Sequence, residues 1–490
     1  MRNWTIILFL LLTLTIYGQT KFDKSKISKE TNKIAQDIEE INMVMSSAVG
    51  FAGVRPEQYD NFMKLKSMAT SDELKELTSH PNPTVRSYAF WALSYDHSVD
   101  PYPIVLNHIN DSKFVNTQFG CIVSGESVGD FFINVVTLGR IDLDSKKLDS
   151  VQFATLDSIL IYTPNNLSAK SAAINRAEPT ESLYPKIREL VVKENDQTAL
   201  VTLAKYQKEQ DIELIQNNKT KSKFDEGGFF YTYKAISQFP HSDFFPLLEK
   251  NLEKTLDNTH FSTEWRELYK AIASYKNDKA KELLLVPFTQ VKHNNIRKYH
   301  IDFVFSALRE FKDPIYEDLF WKLWTEEKRI NPDVFKYLSS TNPEKTFELT
   351  KESLKNTDGL YSANISLNFN DFDASENLTS TMLDLALKQD KEFGFEVIRK
   401  NIEEANVNLF PIFADKTAEL KDKSFIEPLF DRLETEWNAH IYLKAAQALI
   451  AYEDSDVNQR ILKTVKKNKN LRKDWGGDAL DKLMKDNNIK

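Results

Sequence analysis

Trp265-Arg-Glu-Leu-Tyr-Lys-Ala-Ile-Ala-Ser-Tyr275 decides how this chain folds, because the same layout occurs three times. It returns 36 residues earlier as Phe229-Phe-Tyr-Thr-Tyr-Lys-Ala-Ile-Ser-Gln-Phe239, and 36 later as Ile301-Asp-Phe-Val-Phe-Ser-Ala-Leu-Arg-Glu-Phe311. Each copy ends on an aromatic. Counting back from it, large apolar residues stand at minus ten (Phe229, Trp265, Ile301), minus six (Tyr233, Tyr269, Phe305) and minus three (Ile236, Ile272, Leu308). Spacings of three and four place them on one stripe of a helix. Ala235, Ala271 and Ala307 at minus four predict a close approach of neighbouring helices. Eight residues beyond the aromatics come Leu247, Leu283 and Leu319, which complete the repeated layout. Weaker units follow the same plan, with Tyr206 and Leu214, and with Ala448, Tyr452 and Ile461.

A period near 36 with this layout predicts stacked helical hairpins, an all-α α-solenoid. The composition agrees. A chain of 490 residues is long for one compact core and natural for an array that adds cores unit by unit. It has 13 glycines, far below the roughly 7% average, which suits helices joined by short turns. A net charge of -8 argues against nucleic acid as the partner, which would call for a basic domain or stripe.

A second stretch is Asn82-Pro-Thr-Val-Arg-Ser-Tyr-Ala-Phe-Trp-Ala-Leu93. Asn82 suits a helix cap and Pro83 a first helical position. Val85, Ala89, Ala92 and Leu93 are predicted to face neighbouring helices, and Arg86 to reach back toward the turn. The stretch resembles the inner-helix signature of HEAT repeats, with Asn82 in place of the usual Asp. The resemblance is specific over 71–110, and one of period and shape over 170–355 and 378–470. It implies a binding surface for a partner in place of a catalytic centre.

The ends and the interruptions complete the layout. Arg2 followed by the apolar run Ile6–Ile16 and a small residue at Gly18 predicts a signal peptide over 1–18, with the mature chain beginning at Gln19. The protein is therefore expected to be exported, periplasmic or extracellular, with no transmembrane span after cleavage. An N-terminal helix and linker are assigned to 19–55, the helix running through Ile34, Ile38, Ile41 and Val44. HEAT-like repeats follow over 56–110, 151–355 and 377–490. Residues 111–150, the most glycine-rich part, are expected to form an irregular, partly strand-like insertion. Residues 356–376, polar and rich in Asn, are expected to be a hinge. Cys121, the single cysteine, is expected to be a small buried residue. Lys463, Lys466, Lys467, Lys469, Arg472 and Lys473 are read as a solvated outer face.

Three patterns bear on chemistry. Gly125-Glu-Ser-Val-Gly129 matches the nucleophile-elbow pattern, which would make Ser127 the nucleophile of an exported hydrolase, with Asp142 or Asp144 and His241 as partners by order alone. No run of βα units accompanies it. No histidine is followed by Glu, as the di-iron site of deoxyhypusine hydroxylase, a HEAT-like enzyme, requires. His293 and His300 share a helical spacing but have no third ligand, and a surface or turn position is expected for them. A ligand-sensing role for the 111–150 insertion is the remaining alternative. The expectation is a scaffold without catalytic residues, cofactor or metal that binds a protein or cell-envelope component. Its predicted contact row lies at minus nine, minus five and minus two: Phe230, Lys234 and Ser237; Arg266, Lys270 and Ala273; Asp302, Ser306 and Arg309. Phe230, Lys234, Arg266, Lys270 and Arg309 are the predicted partner-binding residues, since Arg and aromatics dominate interfaces.

Overall fold

The computed structural model describes residues 21–137, 144–220, 227–365 and 372–489. The predicted leader, 1–18, and Asp142 lie outside them. The chain divides into two compact units, Met1–Asn217 and Asn218–Lys490. Helix makes up 69% of the structure, with one small three-stranded sheet among the described residues.

The first unit begins with α1 (Lys29–Ile41), capped by the Ser28 hydroxyl, which accepts from the Thr31 amide at 3.1 Å. The helix stops at Asn42, in the left-handed region at φ 53°. Val44 therefore does not continue it. Val44 opens β1 (Val44–Val49), a strand the sequence reading missed because its partner lies some seventy residues ahead. Next come α2 (Glu57–Met68), α3 (Ser71–Leu77), α4 (Pro83–Leu93) and α5 (Tyr102–Asn107). The expected insertion is a hairpin and a helix: β2 (Phe114–Gly120), β3 (Ile122–Ser127) and α6 (Val128–Val136). β2 is central, parallel to β1 and antiparallel to β3, with Val44 opposite Thr117 and Phe114 opposite Ser127. Gly120, at φ +60°, takes the first position of the two-residue hairpin loop, where glycine is favoured. Cys121, beside it, is exposed and not buried as expected, because a two-residue tip has no neighbour to cover it. Helices α7 (Ser150–Tyr162), α8 (Ser168–Arg176), α9 (Tyr184–Glu194), α10 (Gln197–Ala204) and α11 (Ile212–Gln216) complete the unit.

α4 is the hub. Thr84 to Leu93 are all buried. Asn82 caps it, its side-chain oxygen accepting from the Thr84 and Val85 amides at 2.8 and 3.1 Å. Arg86 turns back as expected and donates to the carbonyls of His80 (2.6 Å) and Pro81 (3.0 Å). Its guanidinium also lies 2.9 Å from Asp111, whose carboxylate is 3.2 Å from His108 Nδ1. Tyr88 ties the sheet to the helix, accepting from the Met45 amide (2.7 Å) and donating to its carbonyl (3.1 Å). Phe62 stacks between Tyr88 and Trp91 at 5.0 and 4.6 Å.

The second unit is helical throughout its described residues. It opens with α12 (Phe230–Gln238), α13 (Phe245–Thr255), α14 (Glu264–Ala273), α15 (Asp278–Gln290), α16 (Asn294–Glu310) and α17 (Glu317–Glu327). The three copies of the repeated stretch are α12, α14 and α16, and α14 packs against both others. Ala235, Ala271 and Ala307 are fully buried, as are Ile236, Ile272 and Leu308. The second helix of each pair is out of phase by one residue in two copies. Leu248 and Leu284 are buried, whereas Leu247 and Leu283 are partly exposed; Leu319 is buried. The turn after the aromatic carries a 3-10 segment in the first and third copies, at Ser242–Phe244 and Pro314–Tyr316. Tyrosines bridge successive pairs: Tyr275 donates to the His241 carbonyl (2.6 Å) and Tyr316 to the Ala273 carbonyl (2.9 Å).

The unit continues through α18 (Pro332–Thr341), α19 (Pro343–Leu354), α20 (Thr357–Ile365) and α21 (Phe372–Gln389). The segment expected to be a hinge, 356–376, is thus helical on both sides of the undescribed residues 366–371. Thr357 is buried and donates to Asn401 at 2.6 Å. Then follow α22 (Lys391–Glu404), α23 (Phe410–Leu420), α24 (Ile426–Thr435), α25 (Ala439–Ile450), α26 (Ser455–Lys467) and α27 (Asp474–Asp486). Contacts skip one helix at a time: α23 with α25 and α25 with α27, α22 with α24 and α24 with α26.

Candidate partner-binding face

The predicted row falls on α12, α14 and α16, three helices in lateral contact. Arg266 is exposed, and Phe230, Lys234, Lys270 and Arg309 are half-buried. The row therefore reaches solvent, while the stripe beside it is buried except at Phe229, which is half-buried. Ala273 is the exception: it is fully buried, because the last turn of α14 is covered by Tyr316 reaching its carbonyl.

The charges of the row are not equally available. Lys270 lies 2.7 Å from Glu310 and 3.7 Å from Glu267, so its charge is already answered. Lys234 sits over the Phe230 ring at 5.1 Å, and Arg266 over Phe303 at 5.5 Å. Neither makes an ion pair among the described residues. Arg309 lies over Phe305 at 5.9 Å. Asp302, the one acid in the row, is held by Arg329 at 2.7 Å; burial raises its carboxyl even against that cation. Cations resting on aromatic faces keep their charge and present it on a fixed platform.

Ser127 serves as a cap. Its hydroxyl accepts from the Asp130 amide at 3.0 Å and donates to the Asp130 carboxylate at 2.8 Å, which starts α6. The Asp130 carboxylate goes on to accept from the Ser168 and Ala169 amides at 3.0 and 2.8 Å, at the start of α8. The strand-to-helix context of the elbow is present, but the hydroxyl is spent on the start of α6, and the Asp130 carboxylate it meets serves the start of α8. His241 lies in the second unit, where its Nδ1 accepts from the Asp243 amide. His97, by contrast, places Nε2 3.1 Å from the Asp144 carbonyl.

Of the two spaced histidines, His293 is partly exposed, 3.7 Å from Asp257. His300 was expected at a surface or turn and is instead fully buried. Its ring stacks on Trp265 (4.4 Å) and its Nδ1 lies 2.7 Å from the Tyr269 hydroxyl. Burial pushes His300 down to about 4, opposed by the Thr255 backbone. The signal was available: His300 precedes Ile301 by one residue and sits 31 residues after Tyr269, in the facing row of the next repeat. Among the described residues no group of three or more His, Cys, Asp or Glu is placed to hold a metal. No helix among them is long and apolar enough to cross a membrane. No family model matches this chain, and neither does any curated protein or solved structure.

Proposed function

We propose that the chain is an exported, non-catalytic scaffold of stacked HEAT-like hairpins that binds a protein or cell-envelope partner along α12, α14 and α16. The observation that carries this reading is the split between adjacent positions of one repeat. Residues at minus four and minus three are fully buried in all three copies, while Phe230, Lys234, Arg266 and Arg309 reach solvent. A regular row of aromatic-backed cations on neighbouring helices suits an acidic segment of a partner. The leader reading of residues 1–18 supplies the location. The serine-hydrolase alternative would require Ser127 to leave its cap, and nothing in the geometry around it favours that.

The test is capture from an envelope fraction with a Lys234→Glu plus Arg266→Glu chain beside wild type. Loss of the captured species, with thermal unfolding unchanged, is the expected result. Equal retention by the variant would remove the binding role from this face.

A further inference from the structure

The strongest unabsorbed feature is the far end of the second unit. Residues 461–473 hold six cations and no acid, in a chain of net charge -8. Lys463, Lys466, Lys467, Lys469 and Lys473 are exposed. Lys467 is 3.2 Å from Glu434, and Arg472 is paired with Asp481 at 2.8 Å. Lys463, Lys466 and Lys469 make no ion pair among the described residues.

Two indoles stand beside these lysines. Trp437 is 74% exposed and Trp475 56%, where a tryptophan in a packed chain is normally covered. Their placement is fixed by backbone ties. The Asn468 side-chain Nδ2, at the end of α26, donates to the backbone carbonyls of Leu433 (3.1 Å) and Glu436 (2.9 Å), which brings the lysine run against the turn carrying Trp437. Trp475, at the start of α27, lies 5.1 Å from His440, which stands three residues after Trp437 in the first turn of α25. Gly476 is pressed so closely on α25 that a Cβ there would meet Ala439 at 2.6 Å. Lysines and both indoles therefore share one end of the unit.

We propose that this end docks peripherally on an anionic lipid bilayer, the lysines among the headgroup phosphates and the two indoles at the interface. Charge complementarity selects the occupant. Lysine is a hydrated point charge on a flexible stem, suited to a diffuse negative field; arginine, which fixes oriented forks on single carboxylates, contributes only the already paired Arg472. Indoles settle at the headgroup level, one side apolar and one side wet. The apolar residues of α26, Val457, Ile461 and Val465, are buried in the unit, so the helix keeps its place and only side chains enter the interface.

The experiment is sedimentation of the full chain with vesicles of phosphatidylcholine alone or mixed with phosphatidylglycerol. All arms keep the same leader state, so that residues 6–16 contribute equally. Wild type is expected to prefer the phosphatidylglycerol vesicles and to lose that preference as salt rises. Lys463→Gln with Lys466→Gln and Lys469→Gln should lower partitioning on the order of 100-fold. Trp437→Ala with Trp475→Ala should lower it further and remove a blue shift of indole emission. Circular dichroism checks that each variant folds, and glutamine at surface lysines keeps the helix. Anionic-vesicle binding undiminished in the lysine variant overturns the proposal. So does binding of soluble polyglutamate with no preference for phosphatidylglycerol vesicles, which would assign the patch to an acidic protein.

Discussion

Residues 82–111 and 229–311 both form helical cores, yet they are held in opposite ways. In the first, α4 is buried on all sides, and buried ions and hydrogen bonds fix its position: Arg86 with Asp111, Asp111 with His108, Tyr88 with Met45. In the second, three copies of one apolar pattern meet at alanines, and tyrosine hydroxyls bridge successive pairs. A core built once can rely on specific polar partners. A core built by repetition must use contacts that any copy can make. The difference shows which part should fail abruptly and which should loosen by degrees.

The largest expected effect breaks the first region. Asp111→Ala leaves Arg86 buried without its carboxylate, and loss of one partner of a buried pair costs about 3–5 kcal/mol. Urea unfolding followed by circular dichroism measures it; a change within error would show that the backbone carbonyls of His80 and Pro81 suffice for Arg86. Acid should act in the same direction. Burial raises the Asp111 carboxyl, but the His108 bond and the Arg86 charge outweigh it and hold it below the usual range. Its contribution is present above the unfolded value of about 3.9 and lost as pH falls through the lower folded value.

The repeat region has its own pH response. His300 binds its proton near 6.5 when unfolded and only at about 4 when folded. Its contribution is complete above pH 6.5 and is lost as pH falls from there toward 4, amounting to about 2 kcal/mol at pH 5. Comparing urea midpoints at pH 7 and pH 5 for wild type and His300→Phe tests this. A pH 7-to-5 drop that survives in the variant would place the titration elsewhere.

Ala271→Leu asks how tightly the copies meet. Extra methylenes between α12, α14 and α16 should cost about 1–3 kcal/mol in thermal unfolding, and an unchanged midpoint would mean that the helices can spread. The smallest effect concerns Ser127→Ala, which removes a cap worth about 1 kcal/mol. A fluorophosphonate probe that labels Ser127 in the folded chain would reverse the assignment of that side chain.

What the sequence makes legible follows the same divide. Repetition made the second region legible, because three copies at one spacing average out the ambiguity of any single window. Ala235, Ala271 and Ala307 were placed by counting alone. Leu247 and Leu283 share the spacing of Leu319 but not its burial, so spacing after the turn did not reveal which residue faces the core. In the first region Asn82 and Arg86 were legible, since cap and turn are local. β1 was not, since Val44-Met-Ser-Ser-Ala-Val49 is unremarkable by itself and becomes a strand only by pairing with residues 117–120. Cys121 was misread because average burial says little about a hairpin tip. His300 was missed because a histidine invites a ligand reading, whereas its surroundings are an aromatic pocket.

The tyrosine bridges give the run from α12 to α17 a direction. In each, the hydroxyl belongs to the later pair and the carbonyl to the earlier one. Shortening the run from its C-terminal side strips donors and leaves carbonyls at helix and turn ends, where water readily replaces them. Shortening it from the other side leaves hydroxyls on largely buried rings, and an unpaired buried donor is the costlier loss. Deletion series begun from opposite ends should therefore differ in stability at equal length, with the series that retains the early pairs the more stable.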